Sequence, residues 1–79
     1  MRIYVGNLSP QSSESNVRRL FSQYGRIHLL DLKMDPVSGD CRGYGFLEMA
    51  EHEAKEAIHA LDGLLFEGQM LRVSSLVGC

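Results

Sequence analysis

The chain is short of the features that would place it in a membrane, a secretory route or a redox site. It holds only two cysteines, Cys41 and Cys79, in 79 residues. They form no CxxC pair and join no Cys/His cluster, which argues against a metal or redox centre and for reduced thiols. No cofactor is expected. No apolar run approaches the roughly 18 residues a membrane span needs, so no membrane association is expected either. Met1 leads straight into a strand-like segment, leaving no room for a signal peptide and implying a cytoplasmic protein. Internal repeats, low-complexity segments and linkers are missing. Positive charge is also short: eight Lys and Arg face ten Asp and Glu, for a net −2. That balance gives no overall attraction to a polyanion. What remains is one small domain, residues 1–79, of ordinary globular composition, 44% apolar and 23% charged. At this size the core is small.

The pattern of apolar residues then sets the elements. "RIYVGNL" (2–8) alternates with β-branched and aromatic residues and predicts a strand ending at Gly6-Asn7. "SPQSSES" is a polar loop with Ser13 as helix N-cap and Glu14 in the first turn. Val17, Leu20, Phe21 and Tyr24 follow at helical spacing, and Gly25 ends that helix. "RIHLLDLKM" (26–34) predicts a second strand, "DPVSGD" a turn, and "RGYGFLEM" (42–49) a third strand completing a hairpin. Ala54, Ala57, Ile58 and Leu61 make the apolar stripe of a second helix, closed by Asp62-Gly63. "LLFEGQ" connects through a turn at Glu67-Gly68 to a fourth strand, "MLRVS". The order β-α-β-β-α-β implies an α+β, ferredoxin-like sandwich: a four-stranded antiparallel sheet with two helices on one face.

With both helices on one face, the other face of the sheet stays open. Ile3, Val5, Leu30, Leu32, Leu47, Met49, Leu71 and Val73 fill the helix side by alternation. Tyr4, Tyr44 and Phe46 are left on the open side. Cross-strand packing would explain one exposed ring. Three rings on two strands, interleaved with Gly43 and Gly45, suggest instead that another group comes close to the sheet.

These same segments carry a resemblance. "IYVGNL" (3–8) and "RGYGFLEM" (42–49) resemble the two signature segments of the RNA-recognition motif, the RRM. The second fits K/R-G-F/Y-G/A-F-V-x-F/Y through five positions, with Leu47 for Val and Met49 at the eighth, usually aromatic, position. Met49 faces the core, so this departure concerns packing. The resemblance spans residues 2 to about 76. The immediate first strand, and "GFLEM" followed by an Ala-rich helix, are similar to the small single-RRM proteins of bacteria. The resemblance implies binding of single-stranded RNA, with single-stranded DNA as a ligand of the same chemistry. Tyr4 and Phe46 would each stack on a base, and Tyr44 would pack against the sugars between them. Arg42 would pair with a phosphate, with Arg2, Lys33 and Arg72 also on that face. Asn7 would mainly hold the first loop, a direct base contact being its second role.

The open face then carries Arg2, Lys33, Arg42 and Arg72 against Asp31 and Glu48. Asp31 is an unfavourable neighbour for phosphate. The rest of the acidity lies elsewhere, much of it on the second helix. His28, His52 and His59 are scattered and read as solvated residues. Glu51, Glu53 and Glu56 read as a solvated helix face, or more sharply as a docking surface. Met34, Met49 and Met70 read as core fillers or strand ends, and Leu29 as an isolated exposed residue or a fourth apolar contact for a base.

Three functions compete. The first is a non-enzymatic RNA binder, acting as a monomer. The second is an RRM-fold protein-interaction module using the sheet or the acidic second helix. The third is an enzyme on the same fold. An acylphosphatase-like site would need an anion-cradling Arg loop after the first strand, and "GNLSPQSS" has no Arg or Lys. A metal carrier would need paired cysteines there.

Overall fold

The computed structural model describes residues 1–76. Cys79, and the end of the Ser74 to Gly78 segment expected to influence base preference, lie outside the described residues. The elements are β1 (Arg2–Gly6), α1 (Glu14–Ser22), β2 (Ile27–Met34), β3 (Cys41–Met49), α2 (Glu51–Leu61), β4 (Leu65–Phe66), β5 (Gln69–Met70) and β6 (Arg72–Ser75). Strands β2, β3, β1 and β6 form, in that order, one antiparallel sheet. The expected ferredoxin-like α+β fold is the one observed. Among the described residues no helix is long and apolar enough to cross a membrane.

The core lies between this sheet and the two helices. Ile3, Val5, Leu47, Met49, Leu71 and Val73 from the sheet side meet Val17 and Phe21 of α1 and Ala54, Ala57 and Leu61 of α2, all buried. Leu30 and Leu32 are half-buried and pack against that cluster, as do Leu20, Tyr24 and Ile58. Ser13 caps α1 as its sequence implies, its Oγ accepting from the Asn16 amide at 3.2 Å. The helix stops at Ser22 with Gln23 as C-cap, two residues before Gly25. Of Met34, Met49 and Met70, only Met49 fills the core. Met34 and Met70 are exposed strand ends.

Two features depart from the expected outline. Cys41 is no turn residue: it opens β3, is buried, and its amide donates to the Pro10 carbonyl at 2.9 Å. The connection after α2 is itself a hairpin, with Leu65 opposite Met70 and Phe66 opposite Gln69. Its turn residues, Glu67 and Gly68, both have positive φ, 52° and 85°, as a two-residue hairpin turn of the I′ type requires. The hairpin is tied back to α1. The Glu67 carboxylate accepts from Ser12 Oγ at 2.6 Å and from Asn16 Nδ2 at 2.9 Å.

Candidate nucleic-acid interface

Register places the open-face residues in rows across the strands. One row runs Asp31, Phe46, Tyr4, Ser74 over β2, β3, β1 and β6. The next runs Tyr44, Gly6, Arg72. On the other side lies Leu29, Glu48, Arg2. Neighbouring strands are about 4.8 Å apart, so residues in a row touch. The rings do so. Tyr4 and Tyr44 have centroids 6.5 Å apart and are near-parallel at 27°. Phe46 lies 6.0 Å from Tyr4, tilted, and 5.9 Å from Tyr44, edge-on. All three are half-buried, against one another rather than in the core. Cross-strand packing and an open aromatic surface thus coexist: the rings support each other while, among the described residues, the sheet face above them stays uncovered.

Glycines shape this platform differently from the sequence expectation. Gly43 has φ +97°, a conformation side chains rarely adopt, and its carbonyl accepts from the Leu8 amide at 2.8 Å. A Cβ on Gly45 would press on the β2 backbone, 3.0 Å from the Asp31 carbonyl oxygen and 3.1 Å from Leu32 Cα. Both therefore serve the pairing of β3 with its neighbours, and no ligand is needed to account for them. The glycine that matters to the rings is Gly6. A Cβ there would collide with the far end of the Tyr4 ring, so Gly6 is the bare patch over which Tyr4 lies. Sequence reading missed it because Gly6 looks like a simple strand end.

The charges are more paired than a count suggests. Arg2 bridges Glu48 directly across the strands at 3.0 Å, and Lys33 bridges Asp31 along β2 at 2.8 Å. The Lys33 ammonium also stands over Phe46, 5.9 Å from the ring centroid. Arg42 and Arg72 are exposed and carry no ion pair among the described residues. Two cations, not four, are therefore free for phosphate. Arg42 stands near the β2–β3 turn. There the Asp35 carboxylate is held below its usual range by the Val37 and Ser38 amides, with a smaller contribution from the Arg42 charge. Arg72 lines a groove with Tyr4, Asp62, Val73 and Ser74 at the β6 edge.

Asn7 is committed to the scaffold. With φ +60° it turns the chain out of β1, its Nδ2 donates to the Met70 carbonyl at 2.7 Å, and Gln69 Nε2 donates to its Oδ1 at 3.3 Å. Its loop-holding role is thus visible in its bonds. On α2, Glu53 Oε1 accepts from the Arg26 amide at 3.2 Å and Glu51 pairs with Lys55 at 3.2 Å. Much of the acidic helix face is accordingly occupied. Among the described residues no group of three His, Cys, Asp or Glu could hold a metal ion.

Comparison with known proteins gives a consistent picture. The family model described as the RNA recognition motif matches residues 3–72. The chain is 41% identical to the "Putative RNA-binding protein RbpE" of Nostoc, over 94% of its own length and 76% of the relative's. It is 39% identical to the chloroplastic 28 kDa ribonucleoprotein of Spinacia oleracea, over 92% of this chain and 32% of that one. Among solved structures, the crystal structure of RNA Binding Protein PG1 superposes with a TM-score of 0.88 at 38% identity, covering 98% of this chain and 95% of that one. An Sxl-lethal protein/RNA complex superposes at 0.86 and 33% identity, covering 92% and 46%.

Proposed function

Because the chain belongs to the RNA recognition motif family, we propose that it works as a binding module for single-stranded RNA, held on the open face of the sheet. The observation that carries this reading is the ring cluster of Tyr4, Tyr44 and Phe46 on a sheet face that no helix of the described residues covers. Flat, apolar and solvent-facing, such rings offer stacking surfaces to unpaired bases, about two or three at a time. Tyr4 and Phe46, adjacent in one row, take successive bases. Tyr44, in the next row, packs against the sugars between them. Arg42 and Arg72, which form no ion pair among the described residues, take phosphates. Arg2 and Lys33 reach phosphate only by leaving Glu48 and Asp31. Asn7 positions the β1 exit rather than the RNA.

The role is one of binding, not catalysis, and one copy carries the whole ring set, so a monomer suffices. Single-stranded DNA presents equivalent base faces to the rings, with thymine in place of uracil, and is bound by the same stacking. The protein-interaction alternative is not favoured, since its acidic helix spends Glu51 and Glu53 on contacts within the chain. The test is an NMR titration with a short single-stranded RNA and a duplex of equal length. Shift changes at Tyr4, Arg42, Tyr44, Phe46 and Arg72, with little response to the duplex, are expected. Changes confined to α2 would overturn the reading.

A further inference from the structure

Asp31 is an acidic open-face residue that phosphate binding leaves without a purpose. It sits directly opposite Phe46 in the sheet register, next to the ring on which a base would stack. Its carboxylate is bonded to Lys33, whose ammonium stands over the same ring. One edge of that stacking site is therefore lined by a group that only accepts hydrogen bonds and a group that only donates them. Neither is buried: the Asp31 side chain is 52% exposed and that of Lys33 40%. An exposed ion pair is weak, so the ammonium can move off the ring face when a base arrives.

We propose that Asp31 and Lys33 read the base stacked on Phe46 and select guanine. The proposal rests on the stacking mode above and adds a base preference to it. A carboxylate beside a base is satisfied best by two adjacent donors. Only guanine offers them on its pairing edge, as N1–H and the N2 amino group, with O6 next to them as an acceptor for the Lys33 ammonium. Adenine and cytosine present one amino group beside a ring nitrogen lone pair, which repels the carboxylate. Uracil presents a single N–H between two carbonyl oxygens. A negative charge that merely hindered RNA would be a defect. Placed in this row, it rejects three bases and accepts one.

The experiment compares binding of a uridine pentamer with pentamers carrying a central guanosine, adenosine, cytidine or inosine, by fluorescence anisotropy. The guanosine pentamer should bind about tenfold or more tighter than the other standard bases. Inosine, which keeps N1–H and O6 but lacks the amino group, should fall between guanosine and uridine. Asp31→Asn should erase the guanosine preference. It should bind the uridine pentamer at least as tightly as the wild type, since a negative charge has gone. Equal affinity for all four bases would overturn the proposal and leave the stacking mode standing. A guanosine preference that survives Asp31→Asn would remove Asp31 from the readout. No binding to any pentamer would refute the RNA-binding reading itself and this inference with it.

Discussion

Replacing Phe46 with alanine separates a binding surface from a core. The ring is half-buried and touches two others, Tyr4 at 6.0 Å and Tyr44 at 5.9 Å. An aromatic pair contributes about 0.5–1.5 kcal/mol beyond its buried area, so losing both pairs costs about 1–3 kcal/mol of stability. A domain of this length has about 4–12 kcal/mol in total, at ~0.05–0.15 kcal/mol per residue, so the variant stays folded. Binding loses one stacked base, worth about 1–3 kcal/mol, or roughly 5- to 150-fold in Kd. The control lies one residue away on the other face. Leu47 is 0% exposed, and Leu47→Ala should cost about 2–5 kcal/mol through the cavity it leaves. The assay pairs anisotropy titration of a labelled short RNA with urea unfolding of each variant. Phe46→Ala should show a large loss of affinity with a moderate loss of stability, and Leu47→Ala the larger loss of stability. If Phe46→Ala unfolds as readily as Leu47→Ala, the ring is holding the fold. If it binds RNA like the wild type, the ring is not the platform. Either result refutes the reasoning.

Other consequences follow from the same geometry. With Arg42 and Arg72 the open-face cations that carry no ion pair among the described residues, a plot of log K against log salt should have a slope near −1.4, from about −0.7 per phosphate on a single strand. Glu48→Gln releases Arg2 and should steepen it to about −2, whereas a wild-type slope near −5 would mean that phosphate contacts dominate. Glu67→Ala leaves the buried Ser12 hydroxyl without its acceptor and should lower stability by about 1–3 kcal/mol, read by urea unfolding, with little effect on RNA affinity. Asp35 has a folded pKa below the ordinary 3.8. Its contribution to the β2–β3 turn is therefore complete above that value and lost as pH falls through the folded pKa. The Val37 and Ser38 amide resonances should titrate together with a midpoint under 3.8, and an ordinary midpoint would show that their bonds to Asp35 are absent in solution.

Periodicity alone was enough to assign the faces of this molecule. Alternation put Ile3 and Val5 inward and Tyr4 outward, and the helical stripe of Ala54, Ala57 and Leu61 marked the buried side of α2. Both are local patterns, repeating every two or about 3.6 residues, and need no knowledge of what lies opposite. The signature segments around Tyr4 and Phe46 were legible for the same reason. What the pattern could not contain was register. That Arg2 meets Glu48, 46 residues away, and that Asp31 stands beside Phe46 depend on which residues face each other across strands. Shifting a strand by one residue would exchange all of those partners. The short hairpin of β4 and β5 was hidden similarly: its strands are two residues each, too short for alternation to show, and its tie to α1 through Glu67 spans 51 residues to Asn16. The glycines were misread because Gly43 answers to a backbone angle and Gly45 to the closeness of β2, both fixed only when the sheet assembles. Sequence thus determined which side of the sheet carries the rings. Tertiary structure decided which charges remain free to meet RNA, because pairing between distant strands is a property of the assembled sheet and not of any one segment.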